Sequence, residues 1–419
     1  MADGFIANGL TVTIGTEAAF LLLTEATGES RYRRFLEDGC RIGDDIRSYH
    51  RASKQLGVKH VYTWLARAHA QVCYYDMVRR TDPCDDAPYL AAADEAISRA
   101  CGPYMSISGS MTGTRSWGEC WDASQIGLGK WGETCASAYL MRLSAKLMEL
   151  RGDSLYGDIF ERVLYNAFFS AQSPDGLKYR YWTPFDETPP WFDRDTFCCP
   201  NNYKREIFEV PDAVFYRTRD GVAVNLFAPA KLASGSVTAE MRTDYPLDGR
   251  VSIDVTMPKG MSLLWIRVPS WCGNLKVDRC AVTDRNWHVV TGDFSSGRSV
   301  EIEMEMPIRL VAGRQAQEGR VAVMRGPCVY ALNCVTNGLT DMDWAYVYDL
   351  DLTKPMEWRD GAISASLIAG NPESSSKAVT LTRYWDPGRT RTYFNYVGSM
   401  KTVSDELKCR GSKSVWHEW

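Results

Sequence analysis

The spacing of apolar residues changes near the middle of the chain. Before about residue 212 apolar residues recur at helical intervals, and from Val214 onward they alternate with polar ones. Within the first half, residues 20–32, 72–89 and 143–156 repeat one order: an apolar helix, a short Gly- or Pro-containing turn, and a tyrosine near the next helix. This repeat predicts a series of αα-hairpins, which can close into a toroid or stack as a solenoid.

The turns of this repeat carry residues that end and begin helices. Gly28 and Gly152 stand where a helix C-terminus favours a left-handed residue. Acidic residues and serines follow each glycine and can cap the next helix, as at Asp153. The third repeat has the clearest apolar face, formed by Leu140, Leu143, Leu147 and Leu150 and continued by Ile159, Val163 and Phe168.

The second half predicts strands. Residues 214–226 indicate a hairpin that turns at Asp220-Gly221, and residues 320–332 indicate two strands broken at Gly326-Pro327. Apolar residues alternate with polar ones over residues 251–257 and 300–306. Recurrent turn signals predict one or two antiparallel β-sandwiches. The tail from Ser374 is polar and poorly patterned, so we assign it no regular structure.

Composition narrows the protein class. A length of 419 residues predicts two or three domains, and 45% apolar residues with a net charge of −4 are ordinary for a globular protein. No basic block favours nucleic acid or an anionic membrane as a partner, and neither a secretory signal nor a membrane-spanning run is visible. The 13 cysteines are scattered, which predicts mostly reduced thiols in the cytoplasm.

One group of thiols and a carboxylate has a spacing that favours a metal site. Glu133 and Cys135 converge only if they stand at the start of the helix that follows, and Cys198-Cys199 precede Pro200, which favours an extended or turn conformation. Three thiolates and one carboxylate would form a tetrahedral zinc site. The alternative stays open: Cys135 is a small buried residue, and Cys198-Cys199 is incidental or a vicinal disulfide.

Three other polar residues are weaker candidates. A lone Glu119 is more often a surface or capping carboxylate than a catalytic one. Tyr181 is typical of a half-buried wall, and His60 of a core or surface histidine. With only 5 histidines in the chain, a histidine-rich metal site is disfavoured.

These segments together resemble glycoside hydrolase family 127, the β-L-arabinofuranosidase-like proteins formerly grouped by a domain of unknown function. The resemblance runs from about residue 10 to about residue 335 and is most specific in Glu-Thr-Cys at 133–135 and Cys-Cys-Pro at 198–200. The other matching segments are residues 117–119, 151–156, 161–167, 174–176, 181–185, 266–271, 306–311 and 325–330.

The resemblance implies an α+β multidomain protein with an α/α toroid over residues 1–212, a β-sandwich over 213–313 and a second β-rich domain over 314–419. It implies a retaining glycoside hydrolase that acts on β-L-arabinofuranosides or related plant-derived sugars. Zinc would be bound by Glu133, Cys135, Cys198 and Cys199. Cys198 would be the nucleophile and Glu119 the general acid/base, while Tyr181 and His60 would contact a carbohydrate substrate.

The chain departs from the family pattern at its front, because the region before Val61 is shorter than in family members. The resemblance therefore implies an N-terminally shortened, incomplete toroid, and an incomplete last domain as well. Two alternatives follow: a catalytically inactive homologue with a carbohydrate-binding or structural role, and a polysaccharide lyase, for which Asn201, Asn202 and Tyr203 are the only hint. The sequence leaves open whether the chain forms a homodimer.

Overall fold

The structure is a computed structural model. It describes residues 16–45, 60–82, 87–114, 119–187, 190–192, 198–340 and 348–369, residues 376–403 except 387, 389 and 400, and residues 407–408. Trp117 and Gly118, two residues of the predicted family segments, lie outside the described residues.

The described part of the first half is helical, as the repeat predicts. Its helices are α1 Thr16–Thr27, α2 Ser30–Arg34, α3 Val61–Val78, α4 Ala87–Cys101, α5 Thr134–Arg151, α6 Ser154–Val163 and α7 Cys198–Glu209. π-Helical turns at Phe35–Gly39 and Leu164–Phe168 extend α2 and α6, and a 3₁₀ turn at Val210–Ala213 follows α7. Consecutive helices pack as the hairpins α1–α2, α3–α4 and α5–α6.

The turn between α5 and α6 has the predicted chemistry. Gly152 ends α5 with φ 65° and donates its N–H to the carbonyl of Met148 at 2.8 Å. The buried Asp153 then caps α6, where its Oδ1 accepts the Leu155 N–H at 2.8 Å. Glu29 occupies the equivalent place before α2 but makes no side-chain cap bond.

Replacing Asp153 by alanine should lower the free energy of unfolding by about 0.5–2 kcal/mol, because the first turn of α6 loses an acceptor. Urea unfolding measures this change. Glu29→Ala is the matched control, since that side chain caps nothing, and it should stay within about 0.5 kcal/mol of wild type. Equal effects of the two substitutions would contradict a capping role for Asp153.

Strands predominate in the described part of the second half, and one further hairpin of two strands lies in the first half. They are β1 Thr112–Thr114, β2 Glu119–Trp121, β3 Phe215–Arg217, β4 Gly221–Val224, β5 Ala230–Ser234, β6 Val237–Thr243, β7 Arg250–Thr256, β8 Leu263–Arg267, β9 Leu275–Val277, β10 Cys280–Val282, β11 Trp287–Thr291, β12 Arg298–Met304, β13 Ile308–Ala312, β14 Val321–Arg325, β15 Cys328–Asn333, β16 Tyr348–Asp351, β17 Glu357–Arg359, β18 Ala362–Ala369, β19 Lys377–Arg383, β20 Thr390–Arg391, β21 Tyr393–Phe394, β22 Tyr396–Val397 and β23 Thr402–Val403.

These strands form three sheets and the separate hairpin β1–β2. A six-stranded sheet has the order β10-β9-β12-β7-β6-β5, and a four-stranded sheet has the order β11-β8-β4-β3. The third sheet is built on β22-β16-β18-β19-β15-β14-β13-β23, with β17, β20 and β21 beside it. Pairing is antiparallel except for β4 with β8, β13 with β23 and β16 with β22.

The alternating patterns predict these strands correctly. Val251, Ile253 and Val255 of β7 are buried, and alternate residues of β12 are buried and exposed. The predicted hairpins appear as β3–β4 and as β14–β15. Their inward side chains join the helices in one continuous core.

The tail requires a correction, because part of it after Ser374 is regular structure. β19 pairs with β15 and β18 and buries Val379 and Leu381. The strands that follow it are two residues long, too short to give the sequence a visible period. Within the residues that the structure describes, we find no helix both long and apolar enough to cross a membrane.

Candidate active site

Two helix starts bring the predicted thiols and carboxylate together. Glu133 is the residue before α5, with extended angles of φ −61° and ψ 126°, and Cys135 lies in the first turn. This is the arrangement that the sequence predicts. Cys198 and Cys199 begin α7, so the expectation of an extended or turn conformation there is wrong. Pro200 is third in that helix, where its missing N–H costs no helical hydrogen bond.

Contacts on both sides fix the chain around Glu133. Its backbone N–H donates to Oγ1 of Thr112 at 2.7 Å, and Thr134 donates its N–H to the carbonyl of Tyr181 at 3.0 Å. Gly132 before it has φ 72°, and a Cβ there would lie 2.7 Å from Oγ1 of Thr183. A side chain at this position would therefore be strained and would clash.

The four donor atoms of Glu133, Cys135, Cys198 and Cys199 all lie within 4.8 Å of one another, and we call them the thiol cluster. The sulfurs of Cys135 and Cys199 are 3.2 Å apart, and Oε1 of Glu133 is 4.0 Å from the sulfur of Cys199. Three of the four side chains are buried, and Cys198 is half-buried. The described cysteines of the chain, these three included, carry free thiols.

Burial and contacts within the thiol cluster shift the pKa values of its members in different directions. Burial raises the pKa of Glu133, Cys135 and Cys199 well above their usual values. Hydrogen bonds from Cys135 and Cys199 hold the pKa of Cys198 well below its usual value. Cys198 is also the least buried of the three cysteines.

The donor set fits a divalent metal ion such as zinc. Zn–S bonds of about 2.3 Å and Zn–O bonds of about 2.0 Å place neighbouring ligands about 3.5–3.8 Å apart, close to the observed spacing. Oε2 of the fully buried Glu133 has no hydrogen-bond partner. A buried carboxylate with an unsatisfied oxygen is costly unless a cation compensates it, and this supports a metal at the thiol cluster.

Glu119 and His60 lie beside the cluster. Nε2 of His60 is 3.5 Å from Oε2 of Glu119, and Nδ1 is 3.9 Å from Oε2 of Glu133. The Glu119 side chain is 12% exposed, so it is accessible yet largely enclosed. Burial lowers the pKa of His60, which favours the neutral imidazole. Glu119 is therefore not the exposed surface carboxylate that its sequence context alone favours.

Tyr181 completes the group of predicted residues. Its hydroxyl is 3.6 Å from the sulfur of Cys198, and its ring centroid is 4.3 Å from that of Trp182. Burial raises the pKa of Tyr181 above its usual value, so the phenol keeps its proton. All seven predicted site residues therefore lie at one place.

Two further residues lie at this place: Tyr62, which sequence reasoning missed, and Asn202, which it named only as a hint of a polysaccharide lyase. Asn202 donates from Nδ2 to the sulfur of Cys135 at 3.0 Å, and the Asn202 side chain also interacts with Tyr62. Asn202 follows Cys199 by three residues, which is helical spacing. A helix predicted from Cys198 onward would have placed Asn202 on the thiol side.

Comparisons with known proteins point to one family. The model of the GH127 β-L-arabinofuranosidase catalytic domain matches residues 7–212, and that of the GH127 middle domain matches residues 221–306. A non-reducing end β-L-arabinofuranosidase of Bifidobacterium longum is 31% identical over an alignment of 265 residues that covers 53% of this chain and 40% of that protein. The chain thus matches less than half the length of this relative.

Solved structures share the fold. A GH127 β-arabinofuranosidase aligns with a TM-score of 0.75 at 22% identity, covering 91% of this chain and 68% of the other. A GH127 β-L-arabinofuranosidase from Geobacillus stearothermophilus T6 aligns with a TM-score of 0.70 at 22% identity, covering 91% and 72%.

Proposed function

Since the chain belongs to glycoside hydrolase family 127, we propose that it is a retaining glycoside hydrolase with a cysteine nucleophile, acting on β-L-arabinofuranosides or related plant-derived sugars. The observation that carries this proposal is the thiol cluster, in which the half-buried Cys198 has a depressed pKa and both Cys198 and Glu119 lie close to the buried Glu133. The named activity of the Bifidobacterium longum relative agrees with it.

The two residues take the roles that retention requires. The Cys198 sulfur attacks the anomeric carbon, and the S–C bond forms as the bond to the leaving oxygen breaks. Glu119 gives its proton to that oxygen. Glu119 then takes a proton from water, the water oxygen attacks the anomeric carbon, and the S–C bond breaks to return Cys198 as a thiolate.

Glu133, Cys135, Cys198 and Cys199 would hold the metal ion, which we take to be zinc. When bound, zinc keeps coordinated thiols deprotonated at neutral pH. Tyr181 would orient the Cys198 sulfur through its protonated hydroxyl, 3.6 Å away. His60, neutral and next to Glu119, would contact the sugar.

We extend the proposal to the architecture. The hairpins α1–α2, α3–α4 and α5–α6 would form part of an α/α toroid over residues 1–212, and the sheets would form a β-sandwich over 213–313 and a second β-rich domain over 314–419. The end of the catalytic-domain match at residue 212 supports the first boundary. A site that depends on free thiols also supports the cytoplasmic location predicted from the cysteine pattern.

Glu119→Gln tests the acid/base role. We expect kcat/KM to fall by about 10²–10⁴-fold on an alkyl β-L-arabinofuranoside, because glutamine cannot protonate the leaving oxygen. A nitrophenyl β-L-arabinofuranoside should lose less in the first step, since nitrophenolate leaves without a proton. Steady-state and burst kinetics on the two substrates measure the difference.

Glu95→Gln is the control, because that carboxylate lies on α4 in an ion pair with Arg99. It should keep wild-type kinetics. Full activity of Glu119→Gln on both substrates would contradict the assignment. A wild-type protein that binds zinc but releases no sugar from a panel of plant glycosides would favour the catalytically inactive alternative.

A further inference from the structure

The buried side-chain amide of Asn202 contacts one sulfur of the thiol cluster, that of Cys135. Asn202 lies one helical turn after Cys198 and Cys199 on α7 and is 5% exposed. Its Nδ2 donates to the sulfur of Cys135 at 3.0 Å, although Cys135 belongs to a different helix. The contact therefore ties α7 to the first turn of α5 at the sulfur itself.

A tyrosine also lies beside the amide. Burial raises the pKa of Tyr62, on the first turn of α3, and an interaction with the Asn202 side chain offsets part of that rise. The Tyr62 ring is itself wedged edge-on against Tyr139, with centroids 5.1 Å apart. Three helices thus meet at one carboxamide, whose N–H points at a sulfur of the cluster. An N–H aimed in this way is a preorganised donor.

The cluster has a charge that needs such a donor. Three thiolates and one carboxylate carry four negative charges, of which a divalent ion offsets two, and Cys135 and Glu133 are fully buried. An N–H donor draws charge from the sulfur it contacts and lowers the cost of keeping it ionised. Only Cys135 receives this bond from Asn202, while the Cys198 sulfur has the Tyr181 hydroxyl 3.6 Å away.

We propose that Asn202 is a positioning residue: its carboxamide fixes Cys135 as a permanent thiolate ligand of the metal and so leaves Cys198 as the sulfur that reacts. This inference rests on the proposed function of the thiol cluster. The Asn202 contact separates Cys135 from the other two sulfurs, and the half-buried position of Cys198 separates it from the buried Cys199.

The test compares Asn202→Ala and Asn202→Asp in the full chain loaded with Zn²⁺ or Co²⁺. Competition with a chromogenic chelator should show metal affinity reduced by about 10–100-fold in Asn202→Ala. Asn202→Asp should lose more, because an isosteric carboxylate removes the donor and adds a negative charge beside the thiolates. A role in packing alone predicts the reverse order, since aspartate preserves the shape.

The absorption spectrum of the cobalt-loaded protein provides a signal that a change in packing alone would not shift. Without the N–H donor the Cys135 sulfur is richer in electrons, so the thiolate-to-cobalt absorption band should shift to longer wavelength in Asn202→Ala. Tyr62→Phe should give a smaller shift of the same sign, and it serves if the Asn202 variants fail to fold. Asn201→Ala, at an exposed position of the same helix, is the control and should match wild type.

Wild-type affinity and an unshifted band in Asn202→Ala, or in Tyr62→Phe where only that variant folds, would overturn the proposal. If Cys135→Ser still abolished metal binding, the thiol cluster would stand and the role of Asn202 alone would fail. A wild-type protein that binds neither ion would overturn the metal site and this inference together.

Discussion

Cys198→Ser should lower kcat/KM on a nitrophenyl β-L-arabinofuranoside by about 10⁴-fold or more. A serine hydroxyl stays protonated where hydrogen bonds from Cys135 and Cys199 hold the pKa of the Cys198 thiol well below its usual value. The proposed nucleophile is lost while the side chain changes little in size. Cys334→Ser is the matched control, because Cys334 is a half-buried free thiol at the end of the β14–β15 hairpin and, among the residues that the structure describes, belongs to no group that could hold a metal.

A covalent adduct provides the sharper evidence for the same role. In Glu119→Gln the second step lacks its base, so a nitrophenyl substrate should leave a pentosyl group on the protein. Peptide mass spectrometry should find that group on Cys198 and on no other cysteine. An adduct on a carboxylate, or full turnover by Cys198→Ser, would contradict the cysteine mechanism.

Local periodicity made the fold predictable where elements are long. The leucines of α5 and the alternating residues of β7 and β12 bury as their spacing predicts, because the face of a helix or strand follows directly from its period. The helix end at Gly152 and the helix cap at Asp153 were equally predictable, since a left-handed glycine and a capping acid act within one turn. Two-residue strands such as β21 carry no period, and their pairing depends on distant partners.

The donor set of the site was predictable from the sequence, and its conformation was not. Glu133 and the three cysteines, picked out by their spacing, lie together in a group that could hold a metal ion. The start of α7 at Cys198 departs from the extended conformation that a following proline favours, because the first helical turn tolerates proline. The nearness of His60 to Glu119 arises from a backbone pairing of His60 with Cys120, between segments that are sixty residues apart.

A second large effect is expected far from the thiols, at the junction of helices and sheets. Arg267, at the end of β8, is fully buried, and its Nη1 lies 2.7 Å from Oδ1 of Asp158 while Nη2 lies 3.0 Å from Oε1 of Glu161. Both carboxylates belong to α6. Trp271 adds a bond from Nε1 to Oε2 of Glu161 at 3.1 Å, and Tyr245 donates its hydroxyl to Oε1 at 2.5 Å.

Arg267→Met should therefore lower the free energy of unfolding by about 3–5 kcal/mol, since it leaves two buried carboxylates without their cation. Arg242→Met is the control, because the Arg242–Asp254 pair is about half exposed and should contribute less than about 1 kcal/mol. Thermal and urea unfolding of the two variants measure the contrast.

The triple variant Arg267→Met, Asp158→Asn, Glu161→Gln separates charge from packing. If uncompensated charge causes the loss, removing both carboxylates should restore a large part of it, because neutral amides are much cheaper to bury than unpaired carboxylates. If the triple variant is no more stable than Arg267→Met, the loss lies in the packing of the arginine stem. Since α6 packs against α5, whose first turn carries Cys135, the charge at this junction also supports the helix that presents the thiol cluster.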